Sequence, residues 1–203
     1  MTEYPASTVI EVDANESAEE GRPKRADARR NYERLVAAAR LVFAEHGGGA
    51  SMEAIAKEAG VGVGTLYRHF PKRIDIVEAV YREDVDELVS AARDLRAELG
   101  PWEALSGWLE AFVRYAIGKR TFLSELHEAF EKNPQLRIAS RERIEAALST
   151  VLAPAQAAGE VRTDLDESDV MQLIGSMCMS ATLTPEQSAR LLEVIRDGLR
   201  PPS

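Results

Sequence analysis

The amino-acid sequence predicts an all-α fold, on the basis of three observations. Apolar residues recur at spacings of three and four along most of the chain, a pattern typical of amphipathic helices. Glycines, prolines and capping residues interrupt this pattern and mark where helices begin and end. The alternation of polar and apolar residues that favours strands is not found. We therefore expect about nine helices, with a three-helix N-terminal unit joined by a long fourth helix to a larger helical bundle.

The N-terminal part of the chain divides into an acidic tail and the three-helix unit. Residues 1–25 are polar and aperiodic, and we expect a disordered tail there. In residues 26–80, the first helix carries Tyr32, Leu35 and Phe43 on one face and ends at the glycines that start at Gly47. Two short helices follow, from about residue 51 to residue 70, and Pro71 ends the second of them.

Residues 81–203 are expected to form the bundle. The long fourth helix enters it from the three-helix unit, over about residues 74–99, and ends before Gly100 and Pro101. The later helices begin near the residues Trp102, Thr121, Pro134, Ser168 and Pro185, each opened by a proline or a capping residue.

Composition indicates a cytoplasmic protein with no membrane partner. No apolar run approaches the roughly 18 residues that cross a bilayer. The N-terminus is acidic and lacks the apolar segment of a signal peptide. The single cysteine, Cys178, excludes an intramolecular disulfide and fits a reducing compartment.

The net charge of −9 is unevenly distributed along the chain. Residues 1–21 hold six acids and no base, whereas residues 22–73 hold eleven bases and five acids. The remainder is again acidic. Basic charge confined to one short segment is expected where only that segment meets phosphates. The stretch Arg22–Arg30 is either a solvated tether or an arm that reaches the minor groove, and the sequence leaves both open.

Residues 51–70 meet the requirements of a helix-turn-helix. Ser51 is a good N-cap for the first of its helices, which turns Ile55 inward. Ala56 is small where the two helices approach each other, and Gly60 tolerates the positive φ of the turn. Leu66 anchors the second helix, whose opposite face is then free to enter the major groove of DNA.

The free face offers groups that suit DNA. Hydroxyls of Thr65 and Tyr67 can reach phosphate oxygens, and Arg68 can contact a guanine or a phosphate. Phe70 is expected in the core, and for His69 beside it a packing role and a DNA contact are both open. The full set of predicted DNA-binding residues is Ser51, Val63, Thr65, Tyr67, Arg68, His69, Lys72 and Arg73.

The segment from Ser51 to Phe70, SMEAIAKEAGVGVGTLYRHF, resembles the signature of the tetracycline-repressor (TetR) family, with similarity over about residues 29–80. The resemblance implies that Ser51 caps its helix and meets a phosphate, and that Thr65, Tyr67 and His69 stand at contact positions. The family usually has lysine at the position of Arg73, where either cation can hold a phosphate. Val63 and Gly64 depart from the pattern because they offer few hydrogen bonds to bases, which gives more weight to DNA shape.

The same resemblance implies that the bundle binds a ligand and dimerises. Aromatic and methionine side chains can line an apolar ligand pocket, although each is more often simple core. The predicted pocket residues are Trp102, Trp108, Phe112, Tyr115, Phe122, Phe130 and Met177. We place this pocket near the far end of the fourth helix.

Two C-terminal stripes at helical spacing are predicted to form a four-helix dimer interface, with the alternative that both stripes face their own bundle. The predicted interface residues are Val170, Leu173, Ile174, Leu191, Leu192, Ile195 and Leu199.

No metal site, cofactor or catalytic centre is predicted. His127 lies beside Glu125 and Glu128, but residues one or two apart do not share a helix face. No phosphate loop, nucleophile elbow or zinc spacing is present in the sequence. We expect a homodimeric regulator, a repressor that an apolar small molecule releases from double-stranded operator DNA. The alternatives are a ligand-independent DNA-binding protein and a helical enzyme that carries a DNA-binding unit.

Overall fold

The computed structural model describes residues 21–180 and 182–201, and these fold into nine α-helices and two 3₁₀ turns without a strand. The all-α prediction is therefore confirmed for this part of the chain. The helices are α1 (Gly21–His46), α2 (Met52–Glu58), α3 (Val63–His69), α4 (Arg73–Glu98), α5 (Pro101–Gly118), α6 (Leu123–Lys132), α7 (Pro134–Ala157), α8 (Glu167–Cys178) and α9 (Pro185–Leu199), with 3₁₀ turns at Gly47–Gly49 and Lys119–Phe122.

Helix α1 begins earlier than the sequence pattern predicted. Most of the predicted tail, residues 1–20, lies outside the described residues, but residues 21–25 belong to α1. The basic stretch Arg22–Arg30 is therefore the N-terminal part of a helix and not a separate tether in front of it.

Helix α4 is the element that joins the two parts of the molecule. Its 26 residues span about 39 Å, and it packs against α1 on one side and against α5, α6 and α7 on the other. Ile76, Val80, Val85 and Leu88 are buried along its length. The predicted boundary after residue 80 falls inside this helix, so the backbone has no break between the two parts. None of the helices described is long and apolar enough to cross a membrane.

The two tryptophans of the chain have structural roles on α5, Trp102 at its start and Trp108 in its middle. Trp108 is fully buried, and its indole Nε1 donates a hydrogen bond to the Leu88 carbonyl at 3.1 Å, which ties α5 to α4. Trp102 is half-buried, and the guanidinium of Arg200 lies 3.5 Å above its ring. Burying an indole whose N–H is satisfied contributes several kcal/mol, roughly 3–5 by comparison with Trp→Ala substitutions.

The two C-terminal helices are each apolar on two faces, which corrects the predicted dimer interface. Five of its residues point into their own bundle and are buried there: Val170, Ile174, Leu192, Ile195 and Leu199. Leu173 on α8 and Leu191 on α9 are exposed, together with Val194. Arg196 holds α9 in place because it donates to the Ser106 carbonyl at 3.0 Å and pairs with Glu110.

Candidate nucleic-acid interface

Helix α2 is held by its cap and by three inward side chains. The Ser51 hydroxyl oxygen accepts a hydrogen bond from the Ala54 N–H at 3.0 Å, which satisfies one of the free N–H groups at the helix start. Met52, Ile55 and Ala56 are buried against the rest of the unit. The predicted N-cap and inward face are confirmed.

The turn between α2 and α3 requires glycine at position 60. Gly60 has φ of +63°, and its N–H donates to the Lys57 carbonyl at 3.0 Å. A β-carbon at this position would be strained by that φ and would lie 2.8 Å from the guanidinium of Arg34. The guanidinium in turn donates to the Gly60 carbonyl at 3.4 Å. Hydrogen bonds therefore connect the turn both to α1, through Arg34, and to α2, through Lys57.

Helix α3 presents one buried and one open side. Leu66 is fully buried and anchors the helix, as predicted. Val63 and Tyr67 remain 39% and 42% exposed on the outer side, and Arg68 is exposed beside them. Thr65 is half-buried. An exposed tyrosine and arginine on a helix anchored from behind are the geometry that a major-groove reader needs.

The C-terminal end of α3 packs on α1 through aromatic rings. The His69 ring lies 6.4 Å from the Tyr32 ring in an edge-to-face arrangement, and the Phe70 ring lies 5.2 Å from it. His69 is half-buried in this contact. Of the two roles left open by the sequence, this contact supports the packing role.

Arg73 was predicted to hold a phosphate, but its side chain is turned into the protein. The guanidinium donates to the Ala50 carbonyl and lies 2.9 Å from a Glu125 carboxylate oxygen. It also lies 5.3 Å from the centre of the Phe43 ring. These contacts use both terminal nitrogens of the guanidinium, so Arg73 connects parts of the protein to each other and acts as an internal brace. Lys72, next to it, is exposed and remains available to the DNA backbone.

Glu125 on α6 is the ion-pair partner of Arg73. Burial alone would raise the pKa of Glu125, but hydrogen bonds from Ser124 and Arg73 outweigh burial and lower it below the usual value. The carboxylate is therefore ionised at neutral pH and holds a positive partner. The sequence could not indicate this pair because its members are 52 residues apart.

The bundle contains a cavity of about 630 Å³ between α4, α5, α6, α7 and α8, which we call the aromatic cavity. Three predicted pocket residues, Phe112, Tyr115 and Phe130, line it. The complete lining is Tyr81, Phe112, Tyr115, Lys119, Phe130, Arg137, Ile138, Arg141, Glu142, Ile144, Glu145, Met171 and Gln172.

Four predicted pocket residues lie elsewhere. Trp102 and Trp108 are the structural residues of α5 described above. Phe122 packs on Phe43 with 5.3 Å between ring centres and borders a separate hollow of about 340 Å³. Met177 lies in a groove between α8 and α9, beside Leu191 and Val194. The seven predicted residues therefore do not line one common cavity, because aromatic and methionine content alone does not distinguish a cavity wall from packed core.

Two segments of the chain match known protein families. Residues 35–80 match bacterial regulatory proteins of the tetR family, and residues 100–201, half of the chain, match the C-terminal domain described as transcriptional regulator SbtR-like. The chain belongs to the TetR family of transcriptional regulators.

Solved structures of TetR regulators are similar to most of the chain. A TetR transcriptional regulator from Streptomyces coelicolor is 39% identical, with a TM-score of 0.75 over 85% of this chain and 99% of that chain. A TetR regulatory protein from Mycobacterium vanbaalenii is 37% identical, with a TM-score of 0.69 over 88% of this chain and 100% of that one. An HTH-type transcriptional regulator of Staphylococcus aureus is 32% identical over 101 residues, which are 49% of this chain and 55% of that protein. The chain thus spans about half the length of the curated relatives it matches.

Proposed function

We propose that this TetR-family chain is a cytoplasmic homodimeric repressor that binds a two-fold symmetric operator through α3 and leaves it when a small molecule binds. It acts as a regulator and not as an enzyme. The observation that carries the proposal is the outer side of α3. Tyr67 and Arg68 are exposed there, and neither makes an ion pair or hydrogen bond with any residue in the described part of the chain. Such side chains are free to bind phosphates and base edges.

The outer side of α8 and α9 supports dimerisation. Leu173, Leu191 and Val194 are exposed apolar side chains, and Met177 lies between the two helices beside them. An exposed apolar patch on a soluble protein commonly marks an interface. A symmetric operator requires two recognition helices roughly 34–36 Å apart, and a dimer provides them.

The course of α4 supports release by a ligand. Tyr81, on this helix, lines the aromatic cavity, and it follows Arg73 by eight residues, or about 12 Å along the axis. The cavity is therefore near the DNA-binding end of α4, whereas the sequence placed it near the far end. A ligand that prefers a different tilt of α4 would shift α3 and lower the affinity for DNA. The alternative, a ligand-independent DNA-binding protein, does not account for a cavity of this volume.

The test is a selection of bound sequences from a random duplex pool at a stated salt concentration. We expect the selected sites to be two-fold symmetric, with half-sites about one helical turn apart. The chain should sediment as a dimer at micromolar concentration. Asymmetric sites, or a monomer at that concentration, would contradict the proposal.

Replacing Arg73 by alanine should destabilise the protein and leave the salt dependence of DNA binding unchanged. Arg73 braces Ala50 and Glu125, so its loss leaves an ionised, largely buried Glu125 without its cation. Lys72→Ala is the matched variant, because Lys72 is exposed. It should keep the melting temperature and reduce the salt slope by about one unit in each half-site. The measurements are thermal unfolding and operator titrations at several salt concentrations. An Arg73→Ala variant that melts like the parent but has a smaller slope would show that Arg73 binds a phosphate.

A further inference from the structure

The aromatic cavity contains a cation that no described carboxylate neutralises. Lys119 lies in the 3₁₀ turn after α5, half-buried, with its ammonium 4.8 Å from the centre of the Tyr115 ring. The buried thiol of Cys178 on α8 is the titratable group that interacts electrostatically with this ammonium. Burial lowers the pKa of Lys119, as expected for an ammonium without a counter-ion. An uncompensated charge in such a position costs free energy that a bound anion would recover.

Aromatic rings form the walls around this lysine. Tyr81 packs edge-to-face on Phe130 at 5.2 Å between ring centres, and Phe112 lies 5.8 Å from Tyr115. The volume of about 630 Å³ is within the usual range for small-ligand sites, about 300–1,000 Å³. These walls suit a flat, apolar body of one or two rings.

A second polar group, the hydroxyl of the lining residue Tyr115, is buried beside the cavity and lacks a regular partner. The Tyr115 hydroxyl is buried and makes no hydrogen bond of normal geometry with a described residue. Burial first, and then the charge and close hydroxyl of Tyr81 and the charge of Asp84, raise the pKa of this phenol well above its usual value. The hydroxyl therefore keeps its proton at neutral pH and can donate it, although the Tyr81 hydroxyl lies close enough to compete for that proton. A carboxylate supplies acceptor oxygens both for the proton of this hydroxyl and for the protons of the ammonium.

The acidic groups of the cavity do not compete for Lys119. Glu145 is paired with Arg141 at 2.8 Å, and Glu142 is exposed on α7. Arg137, also on α7, is a second exposed cation at the edge of the cavity.

We infer that the aromatic cavity binds an aromatic monoanion, with its carboxylate on Lys119 and its rings between Phe112, Tyr115 and Phe130. The inference rests on the proposed function, because this ligand is the molecule that would release the operator. It adds the chemical class of that ligand and the residue that selects it.

The test compares three probes of the same shape: 2-naphthoate, neutral 2-naphthamide and 2-naphthylmethylammonium, each titrated into the full chain by calorimetry. We expect the naphthoate to bind about tenfold more tightly than the amide, since a charged hydrogen bond replaces a neutral one. The ammonium probe should bind most weakly. Lys119→Met should remove the preference for the anion, and Lys119→Arg should keep it. Lys132→Met is the control, because Lys132 is exposed on α6 and paired with Glu128 outside the cavity.

Three results would overturn the inference. They are equal or weaker binding of the naphthoate relative to the amide, a preference that survives Lys119→Met, and no binding of the naphthoate at millimolar concentration. The Lys119→Met variant is expected to fold, because it exchanges a half-buried charge for an apolar side chain of similar length. DNA titrations on the same samples separate the two proposals. If the chain binds its selected operator but fails the probe test, the inferred ligand class is wrong and the proposed function stands. If the chain passes the probe test but binds no DNA, the proposed function is wrong.

Discussion

Aspartate at both Leu191 and Val194 is expected to give a folded monomer that binds operator about 100-fold more weakly than the parent. These side chains are 43% and 66% exposed in the single subunit, so the folded monomer tolerates the charges. In a dimer the same positions meet an apolar surface, where an unpaired carboxylate is costly. Losing the link between two half-sites removes the avidity of a bivalent binder, about 10²–10⁴-fold. Sedimentation and operator titration measure the two effects.

Ile195→Asp is the matched control on the same helix. Ile195 is only 7% exposed and packs inside its own bundle, so the substitution should unfold the chain instead of dissociating it. Circular dichroism distinguishes these outcomes, since the monomer keeps its helical signal and the unfolded chain does not. A Leu191→Asp, Val194→Asp chain that still sediments as a dimer with parental operator affinity would place the interface elsewhere.

Arg68→Ala should weaken operator binding strongly and leave the fold intact. Loss of an arginine that reads a base costs about 1–3 kcal/mol in each half-site, and a dimer loses both contacts. The expected loss of affinity is therefore about 30-fold at the lower end of that range, with relaxed preference at one base pair of each half-site. The measurement is a titration against the selected operator and against single-base variants.

Arg114→Ala is the control for this arginine. Arg114 is also exposed, but it lies on α5 in the bundle, where it pairs with Glu110 at 3.9 Å. Its removal should change neither affinity nor base preference. If Arg68→Ala lowers the affinity equally for every sequence, Arg68 binds a phosphate and base recognition lies with other residues of α3.

The DNA-binding unit could be predicted from the sequence because its constraints are local. Ser51, Gly60 and Leu66 each have a role set by neighbours within a few positions, namely a cap, a left-handed turn residue and an anchor. The structure has all three where the pattern required them. Arg73 was different, since its partner Glu125 lies on another helix and no spacing rule connects them.

The bundle was less predictable because its helices are apolar on more than one face. Leu191 and Leu192 are adjacent and similar, but a helix turns about 100° per residue, so only Leu192 is buried. The helical spacing identified the apolar residues of this helix but did not show which of them face the core of their own subunit. The sequence did not indicate Lys119 as a cavity residue, because a single lysine after Gly118 forms no recognisable motif. Its significance depends on the rings that other helices bring around it.

The placement of the two tryptophans also gives the molecule a pair of built-in optical reporters. Trp108 is fully buried, and its ring centre lies 5.7 Å from that of Phe112, which lines the aromatic cavity. The emission of Trp108 should therefore respond to a ligand that enters the cavity. Trp102 lies under the guanidinium of Arg200, immediately after α9, so its emission should follow movements of the C-terminal helix. Ligand entry and subunit association would therefore appear in two separable fluorescence signals. Trp102→Phe isolates the Trp108 signal and keeps the buried indole that bonds to Leu88, and no external dye is needed.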